Sequence, residues 1–283
     1  MASLIVRKNV DNLNGEELKA LRAGYTKAQS IFDNRGYNHF AAMHGVPNWY
    51  CWHHDGNQRT AVNANLFLPW HRAYLIFFER AIRDQSPDQP KVGLPWWDWT
   101  SAVSHANGVP KAFSDATADG QPNPLVRARI YAPTAKPQAI DRQTRRFPGP
   151  PAELPTSKDV SQLLALSQYN DFSHQLENIH DGIHGWTGGN NGSVGGDMSS
   201  VGTAAWDPIF WSHHCNIDRL WYQWQNQHGV NNVPAAILDL VLVPFSMTVR
   251  DVLSVNALGY EYASTLITIG GKGAAHGHAQ AHH

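Results

Sequence analysis

Histidine recurs in this chain on segments whose apolar residues repeat at helical spacing, and that combination limits the fold more than any other feature. In "PWHRAYLIFFERAIRD", His71, Leu75, Phe78 and Ile82 share one helical face, and Pro69 takes a first-turn position. In "HHCNIDRLWYQWQNQ", His214, Ile217, Trp221 and Trp224 do the same. "YNHFAAMHG" carries His44 at the end of a short helix that should stop at Gly45, before Pro47. "VSQLLALSQYNDFSHQLENIHDGIHG" reads as one or two helices ending at Gly185; His180 and His184 are four apart and point the same way. Such helices must bury their imidazoles with their apolar stripes. The expected fold is therefore mainly α, with the histidine-bearing helices converging in a bundle core, long loops and little β.

The remaining segments fit around that bundle. "NGEELKALRAGYTKAQSIF" starts with Asn14 and has Glu17 three residues later, a capping-box pattern, followed by Leu18, Leu21, Tyr25 and Phe32 at roughly helical spacing. Residues 100–156 are rich in Pro, Gly, Ala and Ser and read as loop, long enough to form a functional rim. A single domain is expected over 1–270, followed by a low-complexity, His-rich, flexible tail at 271–283. The net charge of −1 comes with no basic stripe, which argues against a nucleic-acid partner. No apolar run reaches membrane-spanning length, and "MASLIVRKNVDN" has too short an apolar core for a signal peptide. The expectation is a cytoplasmic protein, or one exported without a signal peptide of its own. Two cysteines, Cys51 and Cys215, do not make a disulfide framework.

His180 and His184 alone are weak support for a metal, because such pairs arise by chance in many helices. The zinc-protease pattern also needs Glu directly after the first histidine, and that place holds Asp181. The pair gains weight from His44, His53, His54, His71 and His214 on or beside apolar helices. Any one of these is ordinarily a core histidine bonded to a backbone carbonyl; the set is poorly explained that way. All-imidazole ligation suits copper, zinc, iron or nickel.

Two long stretches carry a family resemblance. "NLFLPWHRAYLIFFE" and "DPIFWSHHCNIDRLW" resemble the two copper signatures of tyrosinases, catechol oxidases and molluscan hemocyanins. "LPWWDWT" and "LENIHDGIHGWTGG" are similar to further stretches of that family, and "LGYEY" resembles its closing tyrosine motif. The likeness runs from about Asn38 to Trp224. It implies two copper ions in a four-helix bundle, each held by three histidines, with dioxygen as co-substrate. By match to the motifs, His44, His53 and His71 would hold the first copper, and His180, His184 and His214 the second. The family often has Cys-x-His at the second ligand, so Cys51-Trp52-His53 implies a Cys51–His53 thioether. His53 and His71 are eighteen positions apart, more than the family uses, and His54 is the alternative. His213 is placed behind the ligands, with a swap against His214 left open. Asp98, Asp218 and Arg219 read equally as structural charges or as braces behind the centre.

The resemblance implies oxidation of a small phenolic substrate. Glu177 matches the family's water-holding base. Asp181 stands where monophenol-hydroxylating members often have Asn, which leaves hydroxylation of monophenols open. Two other functions compete with a phenol oxidase: an oxygen carrier, and a zinc hydrolase built on the HxxxH pair.

Overall fold

The computed structural model describes residues 4–52, 63–88 and 90–263. His53, His54 and the 271–283 tail lie outside the described residues. Eight helices follow in chain order: α1 (Gly15–Gln29), α2 (Tyr37–His44), α3 (Phe67–Asp84), α4 (Ala102–Asn107), α5 (Lys111–Ser114), α6 (Ser157–Leu164), α7 (Tyr169–Gly188) and α8 (Ile209–His228). Strands are short, two to four residues each, and form four separate two-stranded pairs. The mainly α reading holds.

Local chemistry sets the helix limits. Asn14 Oδ1 accepts from Glu17 N (2.9 Å) and Glu17 Oε2 accepts from Asn14 N (3.0 Å), so α1 opens with the expected capping box. α2 stops at His44, as Gly45 leaves helical geometry. The 157–188 segment is two helices, and α7 runs three residues past Gly185. Its terminator is Gly189, at φ +54°, a left-handed conformation that glycine adopts without strain. α8 starts at Ile209, not at the histidine pair, because Asp207 Oδ1 accepts from Ile209 N (3.2 Å) and organises its first turn.

α3, α7 and α8 pack through large apolar side chains, and α2 closes the bundle. Phe78 of α3 stacks on Trp211 of α8 (centroids 3.6 Å apart), and Phe172 of α7 stacks on Trp224 of α8 (4.8 Å). Tyr74 of α3 donates to the Phe40 carbonyl of α2 at 2.6 Å. His71, Leu75, Phe78 and Ile82 are all buried, as are His214, Ile217, Trp221 and Trp224, so both apolar faces point where their spacing requires. Burying each large apolar side chain is worth roughly 1.5–3 kcal/mol, which lets the core carry polar imidazoles.

A buried ionic network ties this bundle to both ends of the described chain. The strand Ile5–Arg7 pairs in parallel with Tyr260–Tyr262. Arg7 then reaches Glu79 of α3 (2.8 Å) and Asp218 of α8 (3.1 Å). Asp218 also takes Arg72 of α3 and the hydroxyls of Tyr260 and Tyr262. Burial opposes ionisation of Asp218, but the Arg72 and Arg7 guanidiniums hold its carboxyl below the usual carboxylate range. Arg83 of α3 also reaches Glu79 (3.1 Å) from the partly exposed edge, so only the fully buried part of the network is balanced, with Arg7 and Arg72 against Glu79 and Asp218. Its Asp218 is structural, a strut between α3 and α8.

Residues 100–156 depart from the expected loop. They hold α4, α5 and two hairpins, Thr117–Ala118 with Gln121–Pro122 and Arg129–Ala132 with Ile140–Gln143. These elements are too short for periodicity to reveal; partners far away in the chain fix them. Arg142 of the second hairpin is paired with the buried Asp197 at 2.7 Å.

Candidate metal centre

Six imidazoles meet in the bundle core: His44 from α2, His71 from α3, His180 and His184 from α7, and His213 and His214 from α8. They form two groups of potential donors. One is His44, His71 and His214; the other is His180, His184, His213 and His214, and within each group the donor atoms lie within 4.8 Å of one another. His71 and His214 stack face to face at 4.5 Å between the groups.

Hydrogen bonds fix which ring nitrogen faces inward. Nδ1 of His71 faces the Phe67 carbonyl (2.8 Å), Nδ1 of His44 the Val201 carbonyl (3.1 Å), and Nδ1 of His184 the Met198 carbonyl (2.8 Å). Nδ1 of His180 faces Asp181 Oδ1 at 2.9 Å. A carbonyl or carboxylate oxygen accepts, so each Nδ1 carries the proton and each Nε2 turns a lone pair into the core. His214 Nε2 then stands 3.2 Å from both His180 Nε2 and His184 Nε2. A single proton on His214 satisfies one of these lone pairs but not both. A cation among the three satisfies all of them, so the donor set fits a bound metal ion.

Electrostatics point the same way. Burial, then the neighbouring imidazoles, keep His44 and His214 well below the ordinary histidine range. Burial lowers His184 to about 4, against the opposing pull of the Met198 carbonyl. At neutral pH these rings are uncharged, the form that binds metals. His213 is lowered in the same way; it is fully buried, parallel to His180 at 5.2 Å and edge-on to His184 at 4.9 Å. It reaches only the second group, whereas His214 belongs to both.

The remaining expected residues fall as follows. Glu177 is buried on α7, one turn before His180. Asp181 is exposed, and its carboxylate holds His180. Cys51 is half-buried and packs against the core, and its expected partner His53 lies outside the described residues. Cys215 is far from this role: it donates to the Leu94 carbonyl (3.1 Å), and burial pushes its thiol up to about 12. Asp98 accepts from Thr100 N and Oγ1 at 3.1 and 2.7 Å, which closes a turn.

Two contributors had escaped the sequence reading. Phe67 lies edge-on to His71 (4.8 Å) and His180 (4.9 Å), and Phe210 packs on His214 (4.1 Å) and His44 (4.8 Å). Each sits four residues before a histidine of its own helix, a spacing that would have found them. The Val201 and Met198 carbonyls left no such trace, because backbone acceptors have no residue signature.

Residues 34–227 match the model of the common central domain of tyrosinase. The chain belongs to the tyrosinase family. It is 29% identical over 262 residues to a tyrosinase of Streptomyces glaucescens, covering 82% of this chain and 87% of that one. It is 35% identical over 237 residues to hemocyanin 1 of Megathura crenulata, covering 79% of this chain but only 7% of that protein. In fold it resembles a functional unit of octopus hemocyanin (TM-score 0.73, 26% identity, 92% of this chain and 68% of that one). It also resembles the tyrosinase of Burkholderia thailandensis (TM-score 0.78, 20% identity, 93% and 75%). The cofactor of this family, a pair of copper ions with dioxygen, fits the two histidine groups.

Proposed function

We propose that this tyrosinase-family protein is a type 3 copper polyphenol oxidase. It oxidises o-diphenols, and more slowly monophenols, to o-quinones with dioxygen. The carrying observation is the surface beside the buried centre. All six imidazoles are buried, and His184, at 9%, is the least so. Its anchoring segment, Met198 to Val201, ends at an exposed apolar side chain, Val201. A phenol can approach over such an apolar rim; a site reserved for dioxygen has no need of one. The near end-to-end match to a Streptomyces tyrosinase supports the same reading.

In this proposal His44, His71 and His53 hold one copper, and His180, His184 and His214 the other; His213 packs behind. When bound, the copper pair activates dioxygen and takes up the two electrons of the catechol. The chain supplies orientation, dryness and proton handling. Phe67 and Phe210 exclude water around the imidazoles. A phenol has a pKa near 10 and needs help to lose its proton at neutral pH. Glu177, buried one turn from His180, is the base for that step through a water. Asp181 fixes the ring of His180 and orients that water. Glu177→Gln is expected to depress the monophenol rate more than the catechol rate.

Oxygen uptake by the copper-loaded protein decides the matter. Continuous uptake with a catechol, and slower uptake after a lag with the matching monophenol, is the expected result. Reversible oxygen binding without steady uptake would overturn the oxidase in favour of oxygen carriage, the reading that the 35% identity to hemocyanin keeps as second.

A further inference from the structure

Ten of the eleven tryptophans are buried or partly buried; Trp49 is 55% exposed. It also has φ +56°, a left-handed conformation that costs a bulky residue on the order of 1–3 kcal/mol. The surrounding backbone enforces it. Trp49 N donates to the Gly45 carbonyl (2.8 Å), and Tyr50 N donates to the Met43 carbonyl (2.8 Å). A strained, exposed indole needs a reason beyond packing.

Its position supplies one. The segment after His44 interlocks with the one ending at Gly202. Val46 N donates to the Gly202 carbonyl at 3.0 Å, and a Cβ on Gly45 would lie 2.3 Å from that oxygen. A Cβ on Gly202 would meet the Trp49 ring at 3.1 Å, so the indole lies flush against Gly202. The residue before it, Val201, holds His44 through its carbonyl and exposes 48% of its surface. The indole therefore stands on the same rim segment that anchors His44 and, through Met198, His184.

We propose that Trp49 is a specificity-determining platform, whose indole receives the apolar substituent of a phenol presenting its hydroxyls to the histidine centre. The proposal rests on the phenol-oxidase reading. It predicts a preference for substrates that carry apolar bulk opposite the reacting hydroxyls. Aromatic and apolar contacts of this kind change binding by roughly threefold to tenfold.

The test separates the platform from the reaction. In the copper-loaded full chain, KM and kcat are measured for catechol and for 4-tert-butylcatechol, and calorimetry gives Kd for benzoate and 4-tert-butylbenzoate. Trp49→Ala is expected to raise KM and Kd for the tert-butyl compounds roughly threefold to tenfold, with a smaller effect on the unsubstituted pair and on kcat. Trp49→Phe should keep most of the preference. Trp49→Gly guards against misfolding, since glycine adopts φ +56° freely; it should hold or raise Tm while losing the preference. An unchanged tert-butyl-to-unsubstituted ratio in both Trp49→Ala and Trp49→Gly would overturn the platform. If no catechol is turned over by the unaltered protein, the oxidase reading fails, and the calorimetric ratio still decides whether Trp49 receives the apolar group.

Discussion

The two halves of the metal centre are built differently. The α7–α8 half brings together His180, His184, His213 and His214 from two twenty-residue helices, whose periodicity puts the rings on facing sides. The α2–α3 half takes His44 from the last position of an eight-residue helix, and its third donor is expected from a segment outside the described residues. A regular helix sets the direction of its side chains, but rings on a helix and at a helix end alike take anchors from elsewhere. One segment provides these for both halves, with the Val201 carbonyl on His44 and the Met198 carbonyl on His184. The halves thus draw on different elements but share a support.

The largest expected effects break one half at a time. His71→Ala and His214→Ala should each abolish turnover and lower copper from two ions per chain to about one, as measured by metal analysis. His53→Ala should do the same and His54→Ala should not. The reverse result would reassign that ligand; full copper and full activity in either His71→Ala or His214→Ala would remove that residue from the centre.

Next in size is the strut between the halves. Asp218→Ala leaves the Arg7 and Arg72 guanidiniums buried without their shared carboxylate. Losing one partner of such a network costs about 3–5 kcal/mol, which denaturant unfolding would report. Because Asp218 joins α3 to α8, copper should become easier to remove from both sites together. Loss confined to one site would show that the halves do not depend on this strut.

How much of this was legible in the sequence follows the same divide. In the α7–α8 half His180 and His184 stood out by their spacing and His214 by its apolar face, and the structure brings these rings together; His213 against His214 stayed open, and Glu177 entered only through the family resemblance. The α2–α3 half showed His44 and His71 but left His53 against His54 open, since the sequence around that adjacent pair has no apolar period that would favour one imidazole over its neighbour. Asp218 was visible as a charge in an apolar helix, yet its partner Arg7 lies at the other end of the chain, and three-residue strands give no pattern that would pair them. The short helices and hairpins of residues 100–156 were hidden for a related reason: each is fixed by distant contacts such as Arg142 with Asp197.

A chemical experiment sharpens the α2–α3 half further. Peptide mapping of copper-loaded protein is expected to find Cys51 and His53 joined, two hydrogens lighter than the separate side chains. Quantitative alkylation of Cys51 after denaturation would rule the bond out and remove the main argument for His53 over His54. Cys215 is the internal control, since burial holds its thiol protonated and it should be alkylated only after unfolding.

The smallest expected effect tests the α7–α8 half at a side-chain anchor, Asp181. His44, His71 and His184 are each braced by a backbone carbonyl, which no substitution of that residue's side chain removes. His180 is braced by Asp181, and the Asp181 side chain is 56% exposed. Solvent screens a carboxylate so placed, so its charge contributes little and its main service is to accept from Nδ1. Asn keeps an acceptor oxygen; Ala does not. Removing a partner behind a metal-bound histidine typically weakens metal binding 10–100-fold. Asp181→Ala should therefore approach about tenfold, at the low end because of exposure, and Asp181→Asn should stay within a few-fold of the parent, both read by competition with a copper chelator. In the activity assay Asp181→Asn should move the monophenol rate more than the catechol rate. If neither substitution changes copper affinity or the ratio of the two rates, Asp181 is a surface carboxylate, and the position of His180 is set by the backbone of α7 alone.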